Sequence, residues 1–493
     1  MTLVIQAWNG RACGLALETA GPFAVLELAL APQEMNMSRY HARITGKDQA
    51  ALADLVTKHK ILVARHTIEK VHDGYRVDAH ATDAQIKSLE TAGYKVERLE
   101  DAEAQGKARQ AETRARVAGP QALEPLSVAA GTGYLDVEQV EAALAAATAA
   151  PNDTFTTLIK LPHATWEKRM CHALKIGKGS GAARPGIYFL GGVHAREWGS
   201  PDILIHFVQL LSNAYTTHTP IKIGSRTFSA ADLKHVIETK DLFVFPQANP
   251  DGRHYSMTAE SMWRKNRRPA PAGHTKPQCC GVDINRNYNF LWNFPQYFDP
   301  QSPIANSTDP CDYEVYIGPS AESEPETKNA VWMFDTYPNI RYFVDLHSYS
   351  EDILYNWGDD EDQSAHPDMN FQNSAYDGKR GIANDKAYRE YIKSEDKKIA
   401  VHLANEMRDA IKASRGRVYR TEQSMSLYPT AGTSDDYAFS RHIVDAKKAK
   451  VFSYTIEWGS PDNPTPFHPA YVEMKQIIDE VTSGLLAFCI EAN

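Results

Sequence analysis

Two imidazoles and one carboxylate are spaced so that they could hold a metal ion. His194 and Glu197 lie in Gly191-Gly192-Val193-His194-Ala195-Arg196-Glu197-Trp198, and His347 lies in Asp345-Leu346-His347-Ser348-Tyr349-Ser350. Two nitrogens and one oxygen leave the fourth position of a tetrahedral zinc ion open, as a catalytic site requires. Zinc held in this way polarises a carbonyl and brings the pKa of water toward neutrality. A separate carboxylate must then take the water's proton and pass it to a leaving group. Glu457 is the candidate: it ends the apolar run Tyr454-Thr455-Ile456, where a carboxylate without a role would be costly to bury. Singly these signals are weak. A His-x-x-Glu pair is common on surfaces, a histidine after a strand is more often structural than a ligand, and Glu457 alone could be a salt-bridged strand end.

The elements that must position these groups read as strands and helices in alternation. Strands are expected at 186–190, 241–245, 341–346 and 451–456, and helices at 201–215, 324–337, 388–412 and from Pro469 to the end. This pattern gives an α/β sheet with helices on both faces over residues 133–493. His194, Glu197, His347 and Glu457 each fall at or just past the carboxyl end of a strand. An open α/β sheet binds its ligands there, so residues far apart in sequence converge for a topological reason.

Ahead of this unit, residues 38–100 read as a small α+β domain. Strands are expected at 40–44, 74–78 and 94–98, with helices at 48–58 and 82–92. Thr82 and Gln85 have the spacing of a capping box. Residues 101–132 are rich in Ala, Gln, Glu, Arg and Gly and read as a linker with some helix, in which Lys107, Arg109, Arg114 and Arg116 are exposed to a trypsin-like protease. Residues 1–37 form an N-terminal extension, which lacks a basic start followed by a continuous apolar run and does not read as a signal peptide.

A net charge of −9 argues against nucleic acid as a partner, since the one basic run, Arg264-Lys265-Asn266-Arg267-Arg268, is short. No apolar run is long enough to cross a bilayer. Six cysteines in 493 residues are too few and too scattered for a disulfide scaffold.

Further cations flank the metal candidates. Arg264 lies in Met262-Trp263-Arg264-Lys265, and Arg286 lies beside an amide in Val282-Asp283-Ile284-Asn285-Arg286-Asn287. Guanidinium groups suit forked recognition of a carboxylate and stabilisation of a developing oxyanion. Together with His-Ala-Arg-Glu-Trp, Asn-Pro-Asp-Gly, Leu-His-Ser-Tyr-Ser, a Tyr-Pro-x-Ala-Gly loop and Thr-Ile-Glu-Trp, these segments occur in an order that resembles the zinc carboxypeptidase A/B family from about Gly133 onward. The resemblance implies a mixed, twisted sheet flanked by helices, one zinc ion on His194, Glu197 and His347, and Glu457 as general base and acid. It implies Arg264 as oxyanion stabiliser, Asn285, Arg286 and Tyr428 as binders of the substrate's terminal carboxylate, and Arg196 and Tyr349 in the outer subsites. It also implies a monomer acting on peptide C-termini and a Cys279–Cys311 disulfide, with Cys280 as a rival for that pairing.

Asp435, in Tyr428-Pro429-Thr430-Ala431-Gly432-Thr433-Ser434-Asp435-Asp436, falls where B-type members of that family have an acidic residue. It points to a preference for C-terminal Lys or Arg, unless it is only a loop residue. There are departures: Ser261 replaces an Arg of digestive members, Thr433 replaces a Gly, and residues 358–385 look expanded and could narrow or lengthen the cleft. The alternatives are A-type or broad specificity for apolar ends, a zinc deacylase of acyl-amino acids, and an inactive binding module. Retention of Glu457 and Arg264 argues against the last.

Overall fold

The computed structural model describes residues 39–61, 63–118, 133–179, 184–463 and 465–492. The N-terminal extension therefore lies outside the described residues, as do residues 119–132.

The N-terminal unit holds β1 (Arg39–Gly46), α1 (Gln49–Thr57), β2 (Val63–Val71), β3 (Gly74–Thr82), α2 (Asp83–Thr91) and β4 (Lys95–Asp101), with the sheet ordered β2-β3-β1-β4. β2 is the strand that the sequence pattern misses, because Val63-Ala64-Arg65-His66-Thr67-Ile68-Glu69-Lys70-Val71 has no clean alternation. It pairs with β3 across an irregular register. The Thr82–Gln85 capping box forms. Ile44, Leu52, Leu55, Val77, Ile86 and Leu89 make the unit's own core.

The expected linker is largely α3 (Ala102–Ala118). It lies against the larger unit, with Gln110 Nε2 donating to Ser256 O at 2.8 Å and Arg116 donating to Gly133 O. Lys107 and Arg114 are exposed as expected, whereas Arg109 is partly buried and paired with Glu112, and Arg116 is buried, its guanidinium donating to a backbone carbonyl across the interface.

The larger unit runs through α4 (Val137–Ala146), β5 (Thr156–Lys160), β6 (His172–Ile176), β7 (Gly186–Gly191), α5 (Gly199–Thr217), β8 (Ile221–Ile223), β9 (Arg226–Phe228), α6 (Ala230–Thr239), β10 (Asp241–Phe245) and α7 (Pro250–Thr258). It continues with α8 (Phe294–Tyr297), α9 (Pro325–Thr336), β11 (Ile340–His347), β12 (Asp352–Tyr355), β13 (Asp362–Gln363), β14 (Glu390–Tyr391), α10 (Ser394–Arg415), β15 (Arg420–Gln423), α11 (Ser434–Val444), β16 (Phe452–Glu457) and α12 (Tyr471–Glu491). The helix expected at 388–412 starts only at Ser394, because Glu390–Tyr391 pairs with Asp362–Gln363 as β14 against β13.

Eight strands form one mixed sheet, in the order β15-β12-β16-β11-β7-β10-β6-β5. Its centre, β16-β11-β7-β10, is parallel. Parallel strands are covered on both faces and so read as continuous apolar runs. Side chains alternate between the faces. Ile187, Phe189, Val344 and Leu346 enter one core with α5 and α12, and Tyr188, Leu190 and Phe343 enter the other with α9 and α11. The parallel centre brings the carboxyl ends of β7, β11 and β16 side by side.

Candidate metal and substrate site

Gly192, at φ +63°, turns the chain off the end of β7, in a conformation that a side chain would strain. His194 and Glu197 follow it. His347 ends β11, and its register partner on β16 is Glu457. His194 Nδ1 is 2.8 Å from Glu197 Oε1, His347 Nδ1 is 3.2 Å from Glu197 Oε2, and the two Nδ1 atoms are 2.9 Å apart. Among the described residues this is the one group of three ligand-type side chains whose donor atoms all lie within 4.8 Å of one another.

The outer nitrogens of the rings test whether a metal fits. His194 Nε2 is 3.2 Å from Asp283 Oδ1, and His347 Nε2 is 3.0 Å from Asp345 Oδ2, off the line of a directed hydrogen bond. Burial alone would raise the Asp283 carboxyl, but Arg264, His194 and Arg286 hold it well below the usual range. An ionised carboxylate only accepts, so the proton of each ring belongs on Nε2, which turns the Nδ1 lone pairs toward each other and toward Glu197. Three acceptors facing one another need positive charge between them. Burial would lower His347, yet Asp345 and Glu197 raise it well above its ordinary value, so the surroundings of this ring favour a cation. The donor set fits a zinc ion.

Sequence reasoning did not single out Asp283 or Asp345. Asp345 could have been found, because it lies two residues before His347 on the same face of a strand. Asp283 stands two residues before Asn285 in Val282-Asp283-Ile284-Asn285, but no spacing rule links it to His194.

The other candidates surround a cavity of about 370 Å³ lined by His194, Arg196, Glu197, Arg264, Asn285, Arg286, Tyr349, Tyr428 and Glu457. Arg264 donates from Nε and Nη2 to Asp283 Oδ2 at 3.2 and 3.0 Å, and its Nη1 is 4.0 Å from Glu197 Oε1. Arg286 donates to Ala305 O and to Asn285 O, both at 2.7 Å, and its guanidinium carbon lies 5.9 Å from the centre of the Tyr428 ring. Gly432, at φ +71°, lets the Tyr428 loop pass over this arginine, since a Cβ there would fall 2.4 Å from Arg286 O. Burial, with Glu197 and Asp352 nearby, raises the Glu457 carboxyl to about 8. Glu457 nevertheless remains half-buried, open to the cavity.

Asp435 is not among the lining residues. It is buried in the first turn of α11, where its Oδ2 accepts from Ser424 Oγ at 3.1 Å and from Thr455 Oγ1 at 3.3 Å. Thr455 shares a strand face with Glu457, so Asp435 lies beneath the floor of the cavity. The expanded segment 358–385 does not reach the cavity either. Arg380 ties it back on itself through Asp359 and Asp377. Ser261 faces α3, where a Cβ on Gly106 would lie 2.0 Å from its Oγ, so a longer side chain has no room.

The cavity has a second wall, formed by Arg39, Lys60, Ile61, Val63, His80, Thr82 and Gln85 of the N-terminal unit. Sequence reasoning placed none of these at the site, and Thr82 and Gln85 entered it only as a capping box. Cys279 pairs with Cys311, and Cys280 lies outside that disulfide.

A family model described as zinc carboxypeptidase matches residues 142–484. The chain belongs to the zinc carboxypeptidase family. It is 29% identical over 280 residues to carboxypeptidase A4 of Mus musculus, a match covering 57% of this chain and 53% of that one. It is 30% identical over 295 residues to carboxypeptidase B of Homo sapiens, covering 59% and 55%. The chain thus spans little more than half the length of these two relatives, and they carry both A and B names. Among solved structures, thrombin activatable fibrinolysis inhibitor aligns with a TM-score of 0.65 at 19% identity, covering 92% of this chain and 98% of that one. Carboxypeptidase A from Helicoverpa armigera aligns at 0.64 and 19%, covering 93% and 99%. Residues 133–493 are less than three quarters of the chain, so these alignments take in the small N-terminal sheet of this zinc carboxypeptidase family member as well.

Proposed function

We propose that this chain is a metallocarboxypeptidase that hydrolyses the last peptide bond of peptides with a free C-terminus. The observation that carries the reading is one cavity lined both by His194 and Glu197 of the three-donor cluster and by Asn285, Arg286 and Tyr428. A zinc ion on His194, Glu197 and His347 would act as a Lewis acid on the scissile carbonyl and acidify a water. Arg286 and Asn285 bind and orient the terminal carboxylate, and Tyr428 covers it. Arg264, fixed by Asp283, presents a guanidinium to the oxygen on which negative charge develops. Glu457 takes the water's proton and gives it to the leaving amine. Asp283 and Asp345 hold the two imidazoles in the tautomer that leaves Nδ1 free to bind metal.

Preference for C-terminal Lys or Arg rests on Asp435, whose carboxylate lies below the cavity. Its bonds to Ser424 and Thr455 favour a second reading, broad or A-type specificity, in which those hydroxyls and the Asp436 amide already satisfy it. The N-terminal unit, residues 38–100, acts as a cover on the same cleft, and cleavage near the exposed Lys107 or Arg114 would release it.

Peptides ending in Arg, Lys, Phe or Leu, each as free acid and as amide, test this with and without limited trypsin and a chelator. Release of the last residue from the acids only, abolished by chelator, is the expected result. Equal cleavage of the amides would sink the exopeptidase reading.

A further inference from the structure

The N-terminal wall of the cavity does more than block it, because one of its side chains occupies a prepared seat. The Arg39 guanidinium lies 3.6 Å from the centre of the Tyr313 ring, and its Nη1 is 3.4 Å from Glu314 Oε1. This seat belongs to the larger unit and is braced by its own contacts. The Tyr313 hydroxyl donates to Glu260 Oε1 at 2.7 Å, and its ring meets Trp263 edge-on at 5.5 Å. The backbone amides of Glu314 and Val315 are held by Asp312 Oδ1 at 2.9 and 3.0 Å, and the segment is tethered by the Cys279–Cys311 disulfide. Glu314 also pairs with Arg196, at 3.0 and 2.8 Å. Asp309, Asp312, Tyr313 and Glu314 line the same cavity as the metal cluster.

A flat aromatic face beside a buried carboxylate is the chemistry that recognises a guanidinium. We propose that Tyr313 and Glu314 form a subsite for a basic side chain of the substrate, upstream of the scissile bond, and that Arg39 occupies it as an internal mimic. The subsite is separate from Asp435. On the peptidase reading the terminal residue goes to Arg286 and Arg196 lines the outer subsites, and Glu314 is tied to Arg196. The word substrate rests on the peptidase reading above, whereas the seat rests on the geometry alone.

Calorimetry with N-acetyl-arginine methylamide tests the seat without using activity, and the probe has no free carboxylate to engage Arg286. In the full chain, Arg39→Ala vacates the seat and should bind the probe about tenfold or more tighter than the unaltered chain does. The citrulline analogue, isosteric but neutral, should not bind. Adding Glu314→Gln or Tyr313→Leu to Arg39→Ala should each remove the gain. Equal affinity in all chains, or no binding to Arg39→Ala, overturns the inference, with thermal unfolding showing that each variant is folded. In a second arm, peptides carry Arg or citrulline at the second or third position from the C-terminus. Cleavage without preference for Arg would refute the subsite as a substrate site, whereas no cleavage beside clear calorimetric binding would refute the peptidase reading and leave the seat standing.

Discussion

His194 and His347 turn their Nδ1 atoms to within 2.9 Å of each other while their Nε2 atoms face Asp283 and Asp345. Two lone pairs at that distance are tolerable only with positive charge between them, and this arrangement ties the carboxylates behind the rings to whatever the rings hold.

Asp283→Asn should therefore lower zinc affinity by about 10- to 100-fold, because the amide no longer fixes the His194 tautomer. Competition with a chromogenic chelator measures it. The same variant frees Arg264 from its ion pair, so kcat should fall even at saturating zinc.

Glu457→Gln should retain the metal, since Glu457 is not among the three donors, yet lose on the order of 10²–10⁴ in kcat. Metal content by atomic absorption beside a peptide assay separates the two effects. Near-normal turnover would remove Glu457 from its role.

Asp435→Ala should lower the kcat/KM ratio of Arg-ended to Leu-ended peptides by on the order of 10²-fold if that carboxylate pairs with the terminal side chain. An unchanged ratio would favour the broad-specificity reading.

Glu326 offers a pH test remote from the metal cluster. It is fully buried at the start of α9, and burial, with Glu324 beside it, raises its carboxyl from 4.5 to about 8. Between these values the unfolded chain has released the proton while the folded chain keeps it. Stability therefore falls as pH rises through that window. Glu326→Gln keeps the hydrogen-bonding shape without the titration. It should stabilise the protein by about 1–3 kcal/mol near pH 7 and flatten the decline, as read from urea midpoints between pH 5 and 8.

The centre of the large sheet was legible because parallel strands covered on both faces must be apolar throughout, as in Asp241-Leu242-Phe243-Val244-Phe245 and Arg341-Tyr342-Phe343-Val344-Asp345-Leu346. β2 was not, because one irregular register breaks the alternation on which strand reading depends. α3 was read as a connector because its few large apolar residues give a weak pattern. What holds it is specific: Gln110 on a carbonyl, and the close approach of Gly106 to Ser261.

By itself the sequence determined the chemical inventory and its rough placement: two histidines and two glutamates at strand ends, with arginines suited to a carboxylate. Local rules suffice for that, since strand periodicity and side-chain chemistry are properties of short segments. Only the tertiary structure decided which groups touch. Asp283 behind His194, Asp435 beneath the cavity floor and Arg39 on Tyr313 are contacts across long sequence separations, set by how the sheet orders its strands and how the two units meet. No local pattern encodes those distances, because the free energy that fixes them comes from burying whole faces together and not from the residues that end up in contact.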